Sequence, residues 1–213
     1  MHGIILGDLK ENRREMLNLL GDPVKRGWEY LRAHAGKHVS ELDAKPGVTF
    51  TDNFTQLLIL EATGDRSLVT LTAPTEPSRH WNYFQGKGLL TYEKFPDDLD
   101  TTSLGLVTMK PPKELVHSIM DEMLNCLNPD GLPYSYFDPQ IPRLDPALSV
   151  NVLHLFYTHG RGHELPSALE WVHSVLKNRA YLRMKVGCRG YTTAMAIKAI
   201  EDLDSLRAKD SSR

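Results

Sequence analysis

The sequence predicts an all-α protein, and two observations support this prediction. Apolar residues recur every four positions, as on the buried face of a helix, most regularly at Leu115, Ile119, Met123 and Leu127. Alternation with a period of two is nearly absent, and residues 67–71 are the best candidate for a strand. Helix–turn–helix units follow one another about every 35 to 50 residues, which is typical of a helical array or toroid.

The first half of the chain predicts three helices. Residues 8–20 mix apolar and charged positions in a helical pattern, and Pro23 suits the first turn of the next helix. Asp52 or Asn53 is a suitable N-cap for a third helix, which Gly64 ends.

The second half of the chain predicts four more helices. The regular apolar stripe starts after the prolines at 111–112. Asp145 is a good N-cap with Pro146 in the first turn of the following helix. Residues 164–177 and 192–208 carry the last two helical patterns.

Composition and charge exclude several classes of function. The net charge is -2 and the pI is near 6.5, so the chain has no basic excess with which to bind nucleic acid. Two cysteines cannot form a disulfide framework, and the nine histidines form no cluster with them, so no zinc site is expected. No apolar stretch reaches the roughly 18 residues that span a bilayer, and we expect a cytoplasmic protein without a transmembrane segment.

The segment that indicates chemistry is the acidic run DDLDTTS at residues 97–103. It suits a helix start, because Asp and Thr are good caps and carboxylates favour the positive end of the helix dipole. Alternatively, Asp98 and Asp100 crowd one turn at a cavity wall, and their mutual repulsion keeps one of them protonated. Such an acid can protonate a carbon–carbon double bond if water is excluded. Paired carboxylates also suit Mg²⁺.

A cation formed in this way needs aromatic faces around it. The chain carries aromatic residues in two segments near the acidic run, the first of which is also rich in Pro, Ser, Asn and Gly. Packing against the protein body and lining a ligand site are both consistent with that composition. The candidate wall residues are Trp81, Tyr83, Phe84, Tyr92, Phe95, Tyr134, Tyr136 and Phe137.

The DLDTT sequence at residues 98–102 resembles the DxDTT form of the acid motif in class II terpene cyclases. Residues 145–153 and 189–194 are also similar to fungal proteins of the terpenoid cyclase and protein prenyltransferase superfamily, which use α/α toroid domains. The resemblance implies that Asp100 is the proton donor and that Asp98 is the neighbour that tunes it. Thr101 stands where the commoner form of the motif has Asp, and it can orient the donor by hydrogen bonding.

The resemblance further implies one toroid-like domain over residues 1–213, and the ring is expected to be incomplete. A closed toroid needs about a dozen helices, more than this length allows at roughly 20 residues per helix and turn. The junction at residues 182–187 reads as the place where a block of the relatives is missing.

The implied substrate is a small apolar isoprenoid, with Mg²⁺ as an aid only if it carries a diphosphate. The alternative is a non-catalytic helical module that binds a protein or an apolar ligand, or an inactive shortened cyclase homologue.

Overall fold

The computed structural model describes residues 21–42, 45–75, 78–89, 91 and 94–178. This part of the chain contains six α-helices and one two-stranded hairpin, which confirms the all-α prediction. The predicted helices at 8–20 and 192–208, and the junction at 182–187, lie outside the described residues. The helices are α1 (Pro23–Ala33), α2 (Asn53–Thr63), α3 (Leu99–Met109), α4 (Lys113–Leu124), α5 (Pro146–Thr158) and α6 (Pro166–Lys177).

The predicted helix starts and stops agree with the structure where local chemistry sets them. Asp52 is the N-cap of α2, and its carboxylate accepts a hydrogen bond from the Thr55 amide at 2.6 Å. Gly64 ends the same helix with a φ of 67°, a left-handed conformation that favours glycine. Asp145 caps α5, and Pro146 occupies its first turn.

The strand predicted at residues 67–71 is wrong. Arg66–Leu68 forms a 3₁₀ turn, started by the Asp65 carboxylate, which accepts a hydrogen bond from the Ser67 amide at 3.0 Å. The chain continues extended but unpaired within the described residues, and its apolar side chains pack against α1 and α2. The strands that do form, β1 (Ser40–Glu41) and β2 (Thr49–Phe50), are an antiparallel hairpin too short to show a periodicity.

The main core lies between α3, α4, α5 and α6. Ile119 and Met120 of α4 and Leu153 and Phe156 of α5 are fully buried there. Helix α3 is enclosed on all sides, because every residue from Leu99 to Leu106 is buried. Its small polar side chains let neighbouring segments approach closely.

A second apolar cluster joins α2 to α3 through Trp81, which packs against Leu57 and Leu104. Helix α3 accommodates the indole because Gly105 has no side chain. A Cβ built on Gly105 would lie 2.6 Å from the indole Nε1 of Trp81. No helix in the described part of the chain is both long and apolar enough to cross a bilayer.

Candidate active site

Three backbone segments meet around the N-terminus of α3. The Leu99 amide donates to the Ser135 carbonyl at 3.0 Å, and the Phe137 amide donates to the Asp97 carbonyl at 3.1 Å. The Asp98 amide points the other way and donates to the Trp81 carbonyl at 3.3 Å. The first turn of α3 is thereby held inside the protein, with the 133–137 segment on one side and the 81–84 segment on the other.

Asp98 is the N-cap of α3 and is nevertheless buried. Its Oδ1 accepts a hydrogen bond from the Thr101 amide at 2.6 Å. Its Oδ2 is buried without a partner of regular hydrogen-bond geometry among the described residues. Burial therefore raises the pKa of Asp98 to about 7, although hydrogen bonding to Thr101 partly offsets this.

Asp100 lies in the first turn of α3 and is 6% exposed. Its Oδ1 accepts a hydrogen bond from Asn151 Nδ2 of α5 at 2.6 Å. Burial raises the pKa of Asp100 well above its usual range, and the nearby charge of Asp98 makes a smaller contribution in the same direction. The Asn151 hydrogen bond opposes this, and the charge of Asp145 at the start of α5 reinforces it. Asp98 and Asp100, hereafter the acid pair, are thus two crowded carboxyl groups out of contact with bulk water.

Sequence reasoning missed two polar residues around the first turn of α3. Asn151 is the polar member of the apolar run Val150–Leu153, and a polar side chain at such a position signals a buried partner. Thr102 belongs to the motif, and its hydroxyl accepts a hydrogen bond from the Trp81 amide at 2.9 Å. The hydroxyl of Thr101, a predicted site residue, is fully buried and has no partner of regular geometry among the described residues.

Four of the candidate wall residues form one aromatic group. The rings of Phe84 and Phe95 meet edge to face at 5.0 Å between centroids, and Phe95 meets Tyr136 in the same way at 5.6 Å. Tyr83 contacts Phe84 at 5.0 Å. Phe50, which sequence reasoning missed, joins the group at 5.3 Å from Phe84. The group reaches the acid pair through Tyr136, whose backbone pairs with that of Asp98.

The other candidate aromatics lie elsewhere. Trp81 packs in the core between α2 and α3. Phe137 stacks on His80 at 3.6 Å between ring centroids. Tyr134 is half-buried in the 133–137 segment and makes no ring contact with another described residue. Tyr92 lies outside the described residues.

A cavity of about 590 Å³ opens beside the aromatic group. Phe84, Phe95 and Phe137 give it apolar walls, while His80 and Asp97 are among its polar lining residues. Its lining does not include the acid pair. The described residues contain no group of three or more His, Cys, Asp or Glu side chains placed to hold a metal ion.

Comparison with known proteins assigns a family. The family model described as the sesquiterpene cyclase AstC-like C-terminal domain matches residues 24–159. The chain belongs to this family. It is also 43% identical over 197 residues to drimenol cyclase DrtB of Aspergillus calidoustus, an alignment that covers 92% of this chain and 36% of DrtB. No solved structure matches.

The chain therefore spans about a third of the length of the curated relative that it matches. The part matched by the AstC-like family runs from the second residue of α1 to the end of α5. It includes the acid pair, Asn151 and the four aromatic side chains that pack together.

Proposed function

We propose that this chain carries the acid site of a class II terpene cyclase, which starts cyclisation by protonating a carbon–carbon double bond of a linear isoprenoid. Asp100 is the proton donor in this proposal. The observation that carries it is the burial of the Asp100 carboxyl beside a second buried carboxyl, Asp98. Membership of the AstC-like sesquiterpene cyclase family supports the same assignment.

The geometry suits a protonated donor. Ionising both members of the acid pair would place two negative charges on one buried turn, so at least one keeps its proton at neutral pH. Asn151 Nδ2 donates to Oδ1 of Asp100, which therefore acts as an acceptor and leaves Oδ2 to carry the acidic hydrogen. The hydrogen passes to one alkene carbon, whose π electron pair forms the new C–H bond. The positive charge then develops on the other carbon.

The resulting cation requires an environment that stabilises charge without reacting with it. The edge-to-face group of Tyr83, Phe84, Phe95 and Tyr136 offers ring faces of this kind close to the first turn of α3. We further propose a sesquiterpene-sized prenyl diphosphate as the substrate, in line with the family's description. Mg²⁺ would enter only as the counter-ion of that diphosphate.

The test is a product assay with the full 213-residue chain. Incubation with farnesyl diphosphate, or with geranylgeranyl diphosphate as the longer homologue, should give cyclic diphosphates, which are detectable by gas chromatography and mass spectrometry after phosphatase treatment. Asp100→Asn keeps the shape of the side chain and removes the acidic hydrogen, so it should reduce these products at least about 100-fold. Asp130→Asn, in an exposed turn, is the matched control and should leave them unchanged.

Two results would contradict the proposal. Cyclic products that persist in Asp100→Asn would exclude this carboxyl as the donor. No cyclic product from the unmodified chain, together with isoprenoid binding that Asp100→Asn leaves unchanged, would instead favour a non-catalytic helical binding module.

A further inference from the structure

A second group of titratable side chains lies outside the acid site, at the cavity beside the aromatic group. His80 Nε2 lies 2.7 Å from Glu122 Oε2 of α4. The imidazole stacks parallel to the Phe137 ring, at 3.6 Å between centroids and 2° between planes. Arg79 pairs with the other carboxylate oxygen of Glu122 and also donates to Ser118 Oγ at 3.1 Å. We call His80 and Glu122 the dyad.

The contacts of the dyad leave one imidazole nitrogen available. A carboxylate accepts hydrogen bonds only, so the neutral imidazole carries its hydrogen on Nε2 and keeps a lone pair on Nδ1. No hydrogen bond from a described residue occupies Nδ1. Burial lowers the pKa of His80. The charge of Asp97 opposes this shift, and the charge of Arg79 reinforces it. The imidazole is therefore neutral near pH 7 and able to accept a proton.

The position of the dyad relates it to the acid pair. His80 is part of the cavity lining, together with Phe84, Phe95 and Phe137. The next residue, Trp81, accepts the hydrogen bond from the Asp98 amide. One short stretch of backbone thus carries the cavity-facing imidazole and contacts the N-terminus of α3.

We propose that His80 is the catalytic base that ends the cationic reaction and that Glu122 orients it. This inference rests on the proposed function. In the step assigned to His80, a C–H bond next to the cationic carbon breaks and its electron pair becomes a new C=C bond. The proton goes to Nδ1, and the imidazolium formed is stabilised by the Glu122 carboxylate. Arg79 holds that carboxylate in place.

A purely structural role must be distinguished from this one, because the same contacts also tie the 78–82 segment to α4. His80→Phe makes the distinction, since phenylalanine preserves an aromatic ring against Phe137 and removes the proton acceptor. Glu122→Gln keeps an acceptor for the Nε2 hydrogen but lacks the charge that stabilises an imidazolium. His163→Phe, on the exposed turn before α6, is the matched control.

The experiment measures farnesyl diphosphate consumption and product composition for these variants of the full chain. Protonation by Asp100 precedes the step assigned to His80, so the deciding result for His80→Phe is the composition of the products formed from the substrate that is consumed. General bases contribute roughly 10²–10⁴-fold. The share of products with the new C=C bond should therefore fall at least about tenfold, in favour of products hydroxylated by water at the former cationic carbon. Glu122→Gln should show a smaller fall, and His163→Phe none.

A second measurement does not depend on turnover. Nitrogen NMR of the ¹⁵N-histidine-labelled chain should show His80 near pH 7 as the neutral tautomer with hydrogen on Nε2, and that signal should be missing from His80→Phe. A tautomer with hydrogen on Nδ1 would overturn the inference whatever the activity.

Product composition separates the two proposals. If the unmodified chain cyclises its substrate and His80→Phe lowers consumption without changing the product shares, the dyad is structural and the acid assignment stands. If every cyclic product of the unmodified chain carries a water-derived hydroxyl at the former cationic carbon and none has the new C=C bond, the olefin-forming step is overturned. If it yields no cyclic product, the proposed function itself fails.

Discussion

The effect of Asp98→Asn on the free energy of unfolding should change sign with pH. Burial raises the pKa of Asp98 from an ordinary value of 3.8 to about 7. One pKa unit corresponds to about 1.36 kcal/mol, so ionising this carboxyl costs the folded protein about 4 kcal/mol relative to the unfolded chain. Below pH 3.8 both states hold the proton and the cost is absent.

Between pH 4 and 7 the unfolded chain is ionised at this position while the folded protein stays protonated. The free energy of unfolding therefore falls by about 1.36 kcal/mol per pH unit across this window and levels off above pH 7. Asparagine at position 98 retains an oxygen to cap α3 but buries an amide group without a partner, at a cost of about 1–3 kcal/mol at every pH. Asp98→Asn should thus be the less stable protein at pH 4 and the more stable one at pH 8.

Urea denaturation followed by circular dichroism from pH 4 to 8.5 measures this difference. The substitution also removes the charge of Asp98, which raises the pKa of Asp100. Ionisation of Asp100 then costs less, and this increases the gain in stability at high pH. Asp130→Asn, in an exposed turn, is the control and should remain within about 0.5 kcal/mol of the unmodified chain. A stability difference for Asp98→Asn that does not vary with pH would refute the claim that this carboxyl is buried and reluctant to ionise.

Two further substitutions test contacts of α3. Gly105→Ala should lower the free energy of unfolding by about 1–3 kcal/mol in urea denaturation, because the new Cβ would lie 2.6 Å from the indole nitrogen of Trp81. The same change at Gly27, with nothing within 4 Å in α1, should stabilise by about 0.5–1 kcal/mol, and equal effects at both sites would contradict the close contact. Asn151→Leu removes the donor to Asp100 Oδ1 and should slow cyclic product formation by about 10–100-fold, as measured with farnesyl diphosphate. An unchanged rate would show that Asn151 does not position the acid.

The parts of the fold that the sequence predicted are those set by neighbouring residues. Asp52 caps α2 through an amide three positions away, and Gly64 ends it through its own backbone conformation. Asp145 followed by Pro146 starts α5 in the same local way. These rules depend only on a few adjacent residues, so they can be read along the chain.

The contacts that make the site depend on distant residues and could not be predicted in this way. Asn151 and Asp100 are 51 positions apart, and Glu122 and His80 are 42 apart. Only the packing of α5 on α3, and of α4 beside the 78–82 segment, brings each pair together. The sequence did contain a signal at Asn151, an amide within an otherwise apolar run, but nothing indicated its partner.

The strand prediction at residues 67–71 failed for a related reason. The apolar side chains of Leu68 and Val69 are buried against α1 and α2. The segment has no strand partner within the described residues. An extended buried segment and a short strand have the same composition. Only the position of the neighbouring chain distinguishes them.

The acidic run at residues 97–103 allowed two interpretations, a helix start and a pair of crowded carboxyl groups, and in the structure the two are compatible. Asp98 caps α3 with Oδ1, and the same position fixes it beside Asp100. The N-terminal end of a helix dipole favours ionised carboxylates by about 0.3–2 kcal/mol. Burial acts in the opposite direction and costs Asp98 about 4 kcal/mol, so burial dominates.

The neighbouring carboxyl of Asp97 belongs to the same run but to a different environment. It lines the open cavity and accepts hydrogen bonds from Ser78 Oγ at 2.8 Å and Asn82 Nδ2 at 3.0 Å. This carboxyl belongs to the polar lining of the cavity, whereas Asp98 and Asp100 are buried. The candidate acid is therefore selected by the depth at which the first turn of α3 is enclosed, and a substitution that opened this turn to water would remove the acid while leaving the motif intact.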